Sequence, residues 1–298
     1  MAIHSKPVIF ITGASGMLGQ QLMADLSDDY KAIALQRDKS DPHKPSWNYQ
    51  QTLEKLEIKA PYAVIHLAGA GIADKRWTNA YKKLIFDSRI HGTDWLVKTI
   101  QNQPQQPELF LCASAIGFYG HRPGEQLNEN SPAGDNFVAD LSQHWETSAQ
   151  QLQSPQTQVT NLRFGLMLDG SGGALKNMLL PFKLGLGGPI GSGEQMYSWV
   201  SLIDVSRAIG FLLKQPQSGP VNITAPQAVS NRMFTKSLAK QLNRPAFIPM
   251  PEWMARLVFK DLADELLLAD AHVLPKKLQS AGFTFHHSNI EQGISAAL

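Results

Sequence analysis

Val8-Ile-Phe-Ile-Thr-Gly-Ala-Ser-Gly-Met-Leu-Gly19 is a β-branched and aromatic run that breaks into three glycines, with Leu18, Leu22 and Leu26 following at helical spacing. The run reads as a buried strand, the glycines as a tight turn and the leucines as the apolar face of a helix. In that setting G-x-x-G-x-x-G is a phosphate-binding turn. Gly13 permits the tight turn, Gly16 lets backbone approach a pyrophosphate, and Gly19 lets the helix pack closely. The helix N-terminus adds free amides and the positive end of its dipole. Thr12, Ser15, Met17 and Leu18 belong to the same expected cofactor-binding set.

Working outward, apolar segments at Ala32 to Leu35, Tyr62 to Leu67 and Leu109 to Ala113 alternate with longer polar-apolar stretches such as Asn79 to Ile100, and Gln158 to Phe164 reads as the strand that ends this part of the chain. Strands that alternate with helices predict an α/β fold with a doubly wound parallel sheet, whose ligand crevice opens at the carboxyl ends of the strands. After Phe164 the pattern changes to short pieces separated by Gly170 to Gly173, Gly185 to Gly193 and Pro216 to Pro220. Residues 1–165 therefore read as the dinucleotide-binding domain, completed by a segment around 199–224. Residues 166–298 read mainly as a smaller C-terminal α/β lobe on the substrate side, with amphipathic stretches at Asn231 to Leu242 and Glu252 to Ala271.

At the end of the second strand an NAD site usually places an acidic residue against the ribose, but this chain reads Leu35-Gln36-Arg37-Asp38. Arg37 can clamp a 2′-phosphate, which points to NADP(H) over NAD(H); Asp38, if the register is shifted, can still reach the ribose.

The rest of the composition narrows the field. With 27 Lys and Arg against 25 Asp and Glu, a net charge of +2 and no run of like charges, the field that nucleic-acid binding requires is missing. Hydrophobic residues at 43% exclude a disordered chain. Cys112 has no partner for an internal disulfide and falls in an apolar stretch, which suits a reducing cytoplasm. The N-terminal stretch holds only Val8 to Ile11 as an apolar run, too short for a signal segment or a membrane span. There is no P-loop and no H-E-x-x-H, and the neighbours His286 and His287 would point to opposite faces of a strand.

Thr12 to Gly19, His66-Leu-Ala-Gly69, Ser114-Ala-Ile-Gly-Phe-Tyr-Gly120 and Trp199-Val-Ser-Leu-Ile-Asp204 stand in the order in which they occur in extended short-chain dehydrogenases/reductases. The chain resembles the NAD-dependent epimerase/dehydratase family of that superfamily, with its Rossmann sheet. More narrowly it resembles the atypical epimerase family subgroup with a C-terminal extension of unknown function. The tokens are Ser88-Arg89-Ile90, Gly117-Phe-Tyr-Gly120, Trp145-Glu146 and the glycine-rich Leu180 to Gly193. The resemblance implies that Leu67, Ala68 and Gly69 line the cofactor and that Arg89 reaches into the same site.

It also implies a Ser or Thr, a Tyr and a Lys four residues later, with the Tyr moving the substrate proton. This chain departs from that pattern. Aligned on Glu146, the Tyr position holds Val138 and the Lys position Ser142; aligned on Tyr119-Gly120, the Ser position holds Ala115 with Ser114 beside it. Ser114 and Tyr119 are left as candidate catalytic residues, with His121, Glu129 and Asp135 as lesser ones. Gly187 to Gly193, with Tyr197 and Trp199 after it, falls where extended members fold a loop over a nucleotide-sugar. Glycine amides suit phosphate, and the aromatics suit a base, a sugar or the core. The expected function is an NADP(H)-binding oxidoreductase or an epimerase-like enzyme, acting on a small substrate that is phosphorylated or nucleotide-linked, as a monomer or homodimer. The alternative is a non-catalytic, redox-sensing or regulatory dinucleotide-binding protein.

Overall fold

A computed structural model describes residues 5–41, 43 and 45–298. The first four positions of the N-terminal stretch lie outside the described residues.

Six parallel strands form the central sheet: β1 (Val8–Thr12), β2 (Lys31–Ala34), β3 (Ala63–His66), β4 (Leu109–Ala115), β5 (Gln158–Phe164) and β6 (Gly219–Ile223). Their order across the sheet is β6-β5-β4-β3-β1-β2. Strands β1, β3 and β4 are buried on both faces, Ile9, Phe10, Ile11, Val64, Ile65, Phe110 and Leu111 being fully shielded from solvent, which is why they read as mainly apolar runs. Edge strand β2 is partly exposed. On the other edge, β6 accommodates Pro220, since its outer side has no ladder partner to lose.

The chain leaves β1 towards β2 and then returns to the opposite side of β1 as β3. The carboxyl ends of β1 and β3 therefore bound the crevice where strand order reverses. Helix α1 (Met17–Asp25) opens from the glycine turn, α2 (Tyr49–Leu56) precedes β3, α3 (Asn79–Gln101) follows it, and α4 (Phe137–Gln150) precedes β5. Thr78 and Asn136 accept from Tyr81 N and Ala139 N, and so fix the first turns of α3 and α4. Past β2 the chain turns into a two-residue ribbon, Arg37–Asp38 against Ser46–Trp47, rather than another sheet strand.

Between β5 and β6 lie α5 (Gly173–Lys183) and α6 (Leu202–Lys214), and after β6 come α7 (Asn231–Leu242) and α8 (Glu252–Phe259). Short helices α9 (Lys276–Ser280) and α10 (Ile290–Ala297) end the chain. This second half is mainly helical. Apart from β6, its strands among the described residues are pairs two or three residues long. It has its own core, in which Trp199, Phe234, Leu238 and Ile294 pack together.

The amphipathic stretch from Glu252 to Ala271 is not one helix. Helix α8 stops at Lys260, whose φ is +53°, and a π-type turn at Ala263–Leu267 follows. That break carries Leu262 to Ala271 back over the carboxyl edge of the sheet.

Candidate active site

The turn after β1 has the features its glycines predict. Gly13 sits at φ +71°, and a Cβ on Gly19 would lie 2.3 Å from the Gly13 carbonyl oxygen, so helix and turn touch backbone to backbone. Gly16 is the N-cap of α1 and no side chain caps that end. The amides opening α1 therefore keep their donor capacity for a ligand. These features fit the pyrophosphate of a dinucleotide.

Thr12 plays a different part from its neighbours. Its side chain is fully buried, its oxygen lies 2.7 Å from Nδ1 of His66, and it accepts from Leu67 N and Ala68 N at 3.2 and 3.3 Å. On the far side of the ring, His66 Nε2 is 3.1 Å from Thr93 Oγ1, which itself donates to Arg89 O. Thr12 thus ties the end of β1 to the loop that carries Leu67, Ala68 and Gly69. Arg89 lies flat against that loop, its Cζ 3.3 Å from where a Cβ on Gly69 would be. Its guanidinium donates to Ile85 O and stands 5.1 Å over the Trp145 ring. Among the described residues it has no carboxylate partner, and burial pulls its pKa down to about 10. Arg37 stands on the ribbon, paired with Trp47.

Beyond the glycine turn the crevice deepens into a cavity of about 340 Å³. Met17, Ala115 and Gly117 form one wall, Gly165 and Leu166 the floor, Met178, Met196, Tyr197 and Ser198 the other wall, and Leu262 to Ala271 the roof. The lining is apolar and its few polar side chains are engaged. Tyr197 donates to Leu267 O, Ser198 donates to Ala271 O, and the two carboxylate oxygens of Glu265 accept from Phe137 N and Val138 N at 3.2 and 3.1 Å.

Ser114 and Tyr119 do not reach this cavity. Ser114 donates to Glu146 Oε1 at 2.7 Å, and Glu146 is clamped from the other side by Arg163 through Nε and Nη2 at 2.7 and 2.8 Å. The Tyr119 hydroxyl, with no solvent exposure, donates to Asn222 Oδ1 and accepts from Arg163 Nη1, and burial raises its pKa. Both are buried members of one polar network with Glu146, Arg163 and Asn222, in which each hydroxyl proton is given to a neighbouring side chain. His121 accepts from Asp270 N, Glu129 accepts from Asn222 N and Lys277 N, and Asp135 is exposed. Val138 packs against Gly117, and Ser142 donates to Val138 O within its own helix.

The glycine-rich segment is a correction to the sequence reading. Ile190 N donates to Asn231 Oδ1, Gly191 N to Met250 O and Gly193 N to Ile190 O, so these amides are spent inside the fold and none faces a phosphate. Gly187 and Gly188 exist for close packing, since an added Cβ would meet the Phe182 ring at 2.7 Å and Ile248 O at 1.7 Å. Trp199 is a core residue that donates to Gln227 O. His286 and His287 lie in a loop, both backbone amides donating to Asp204.

Sequence reasoning missed Glu265. It stands within Ala263-Asp-Glu-Leu-Leu-Leu268, which reads as the continuation of an amphipathic helix, and the break at Lys260, with its positive φ, redirects the chain before it.

The NAD dependent epimerase/dehydratase family model matches residues 9–224, and a domain of unknown function, DUF1731, matches residues 250–297. An epimerase family protein of Mycobacterium tuberculosis is 35% identical over 98% of both chains. One from Staphylococcus haemolyticus is 37% identical over 94% of this chain and 95% of its own. The crystal structure of a human epimerase family protein with NADPH superposes with a TM-score of 0.87 at 27% identity, over 97% of this chain and 98% of that one. A dTDP-4-dehydrorhamnose reductase from Bacillus anthracis, in complex with NADP, shares the fold at a TM-score of 0.75, with 18% identity over 98% of each chain. Among the described residues no helix is long and apolar enough to cross a membrane. The glycine turn, the strand order and these relatives together make the chain a member of the NAD dependent epimerase/dehydratase family.

Proposed function

We propose that the chain is an NADP(H)-binding oxidoreductase that works without the usual Tyr and Lys. The observation that carries this reading is the position of Met17, which opens α1 at the glycine turn and also lines the cavity. The dinucleotide cradle and the enclosed space are one continuous cleft. When bound, the cofactor supplies a hydride at its nicotinamide end. The chain holds its phosphates on the amides that open α1, those of Met17 and Leu18, and offers Arg89 as a cation without a competing carboxylate among the described residues. Arg37 is the group we assign to the 2′-phosphate. The roof from Leu262 to Ala271 keeps water from the reacting atoms. The solved human relative holds NADPH, which supports the choice of NADP(H) over NAD(H). The buried Cys112 suits a reducing cytoplasm.

Calorimetric titration with NADPH and NADH tests the reading. Selective NADPH binding that falls by about 1–3 kcal/mol in Arg37→Ala, with NADH little changed, is the expected result. Equal loss for both cofactors removes Arg37 from the phosphate site. Cofactor binding without hydride exchange against alcohols, carbonyls and imines favours the regulatory reading, which the missing Tyr and Lys make the natural second choice.

A further inference from the structure

The cavity lacks what a carbonyl reduction asks of a protein. The positions of the usual Ser, Tyr and Lys hold Ala115, Val138 and Ser142, and the hydroxyls of Tyr197 and Ser198 are donated to backbone carbonyls. Among the described residues, the one carboxylate in the lining is that of Glu265, brought in by the C-terminal segment. Its two oxygens each take one backbone amide at the start of α4 and, among the described residues, meet no cationic side chain. A carboxylate has about four acceptor directions, so two remain. An anion in an otherwise apolar space selects a ligand that brings the opposite charge on an apolar frame, because a neutral or anionic one leaves the two remaining acceptor directions of that carboxylate unfilled.

We infer that the cavity binds a small apolar substrate whose reacting group is cationic, a protonated imine or iminium, with Glu265 as the residue that pairs with its nitrogen. This rests on the NADP(H) reading above. The balance of the reaction explains the absent proton donor. The iminium carbon gains a hydride and forms a C–H bond, the C=N electron pair moves to nitrogen, and the reduced nicotinamide is left oxidised. The cationic nitrogen becomes a neutral amine in that step, so no proton has to come from a tyrosine. Glu265 stabilises the charge that draws the hydride, and on that account it touches the substrate.

The experiment begins with calorimetry of NADPH, whose failure would remove the cofactor reading and this inference with it. With NADPH bound, dihydroisoquinoline is expected to be reduced, while its ketone analogue tetralone and a UDP-sugar are not. In the wild-type protein, tetrahydroisoquinoline, a cation, should bind at least tenfold more tightly than isochroman, its neutral isostere, both with NADP+ and without. Glu265→Gln should abolish that preference and lower kcat/KM for the imine at least tenfold, with the NADPH Kd retained. Equal binding of amine and isostere, or turnover of the ketone or the UDP-sugar in preference to the imine, overturns the inference while leaving NADPH binding intact. The wild-type comparison decides the matter even if Glu265→Gln does not fold.

Discussion

The Thr12 hydroxyl oxygen lies 2.7 Å from Nδ1 of His66, joining residues that face each other across β1 and β3. With Leu67 N and Ala68 N donating to the same oxygen, the Thr12 proton goes to Nδ1 and the ring proton sits on Nε2, directed at Thr93. The imidazole is neutral, and its shape fixes the distance between the two loops that flank the crevice.

That neutrality has a pH signature. Burial pulls the His66 pKa from 6.5 down to about 3. Below about pH 6.5 the unfolded chain takes up a proton that the folded chain refuses until about pH 3. Stability that is complete above pH 6.5 is therefore lost as pH falls, by about 1.4 kcal/mol per unit, or about 2 kcal/mol at pH 5. Urea unfolding at several pH values should show a steeper acid loss in the wild type than in His66→Gln, by one proton; parallel slopes would refute the assignment.

Gly19→Ala should weaken NADPH binding by more than tenfold and lower Tm, because the new methyl must push the Gly13 carbonyl away. Gly210→Ala is the contrast, an interior position of α6 where the added methyl makes only ordinary contact with Leu26. It should raise stability by about 0.5–1 kcal/mol. If both variants shift Tm alike, the turn packing is not what Gly19 provides.

Arg89→Met separates binding from folding. Removing a desolvated cation that no carboxylate neutralises should leave the Tm of the free protein unchanged or higher, while the NADPH Kd rises at least tenfold. A drop in Tm with Kd intact would make Arg89 a packing residue of α3.

Tyr119→Phe should cost about 1–2 kcal/mol in chemical denaturation, since Asn222 loses a donor and Arg163 an acceptor in a closed network. NADPH affinity should stay at the wild-type value. Weaker binding in this variant would mean that the network reaches the cofactor.

The parts of the fold legible in the sequence are those in which local pattern and tertiary demand agree. Gln158–Phe164 is the same in the sequence and in the structure, because Val159, Leu162 and Phe164 supply apolar positions to the core, while the buried Thr160 and Arg163 are held by Gln217 O and Glu146. The glycine turn was legible because its spacing is dictated by backbone contact. The roof was not. Nothing in Phe259-Lys-Asp-Leu262 marks a helix end: there is neither Gly nor Pro, and a lysine takes the positive φ. Tyr119 misled for a related reason, since its place after β4 is where a catalytic group stands, while its direction is set by Arg163 and Asn222, both distant in sequence.

The order in which a ribosome delivers this chain follows from the return of Leu262 to Ala271 over the sheet. All six strands have been synthesised once Ile223 is made, so the dinucleotide half can assemble while the roof does not yet exist. A nascent chain stopped between those points has a cradle open to water. Synthesis of Leu262 to Ala271 is thus the event that covers a cleft the six strands leave open.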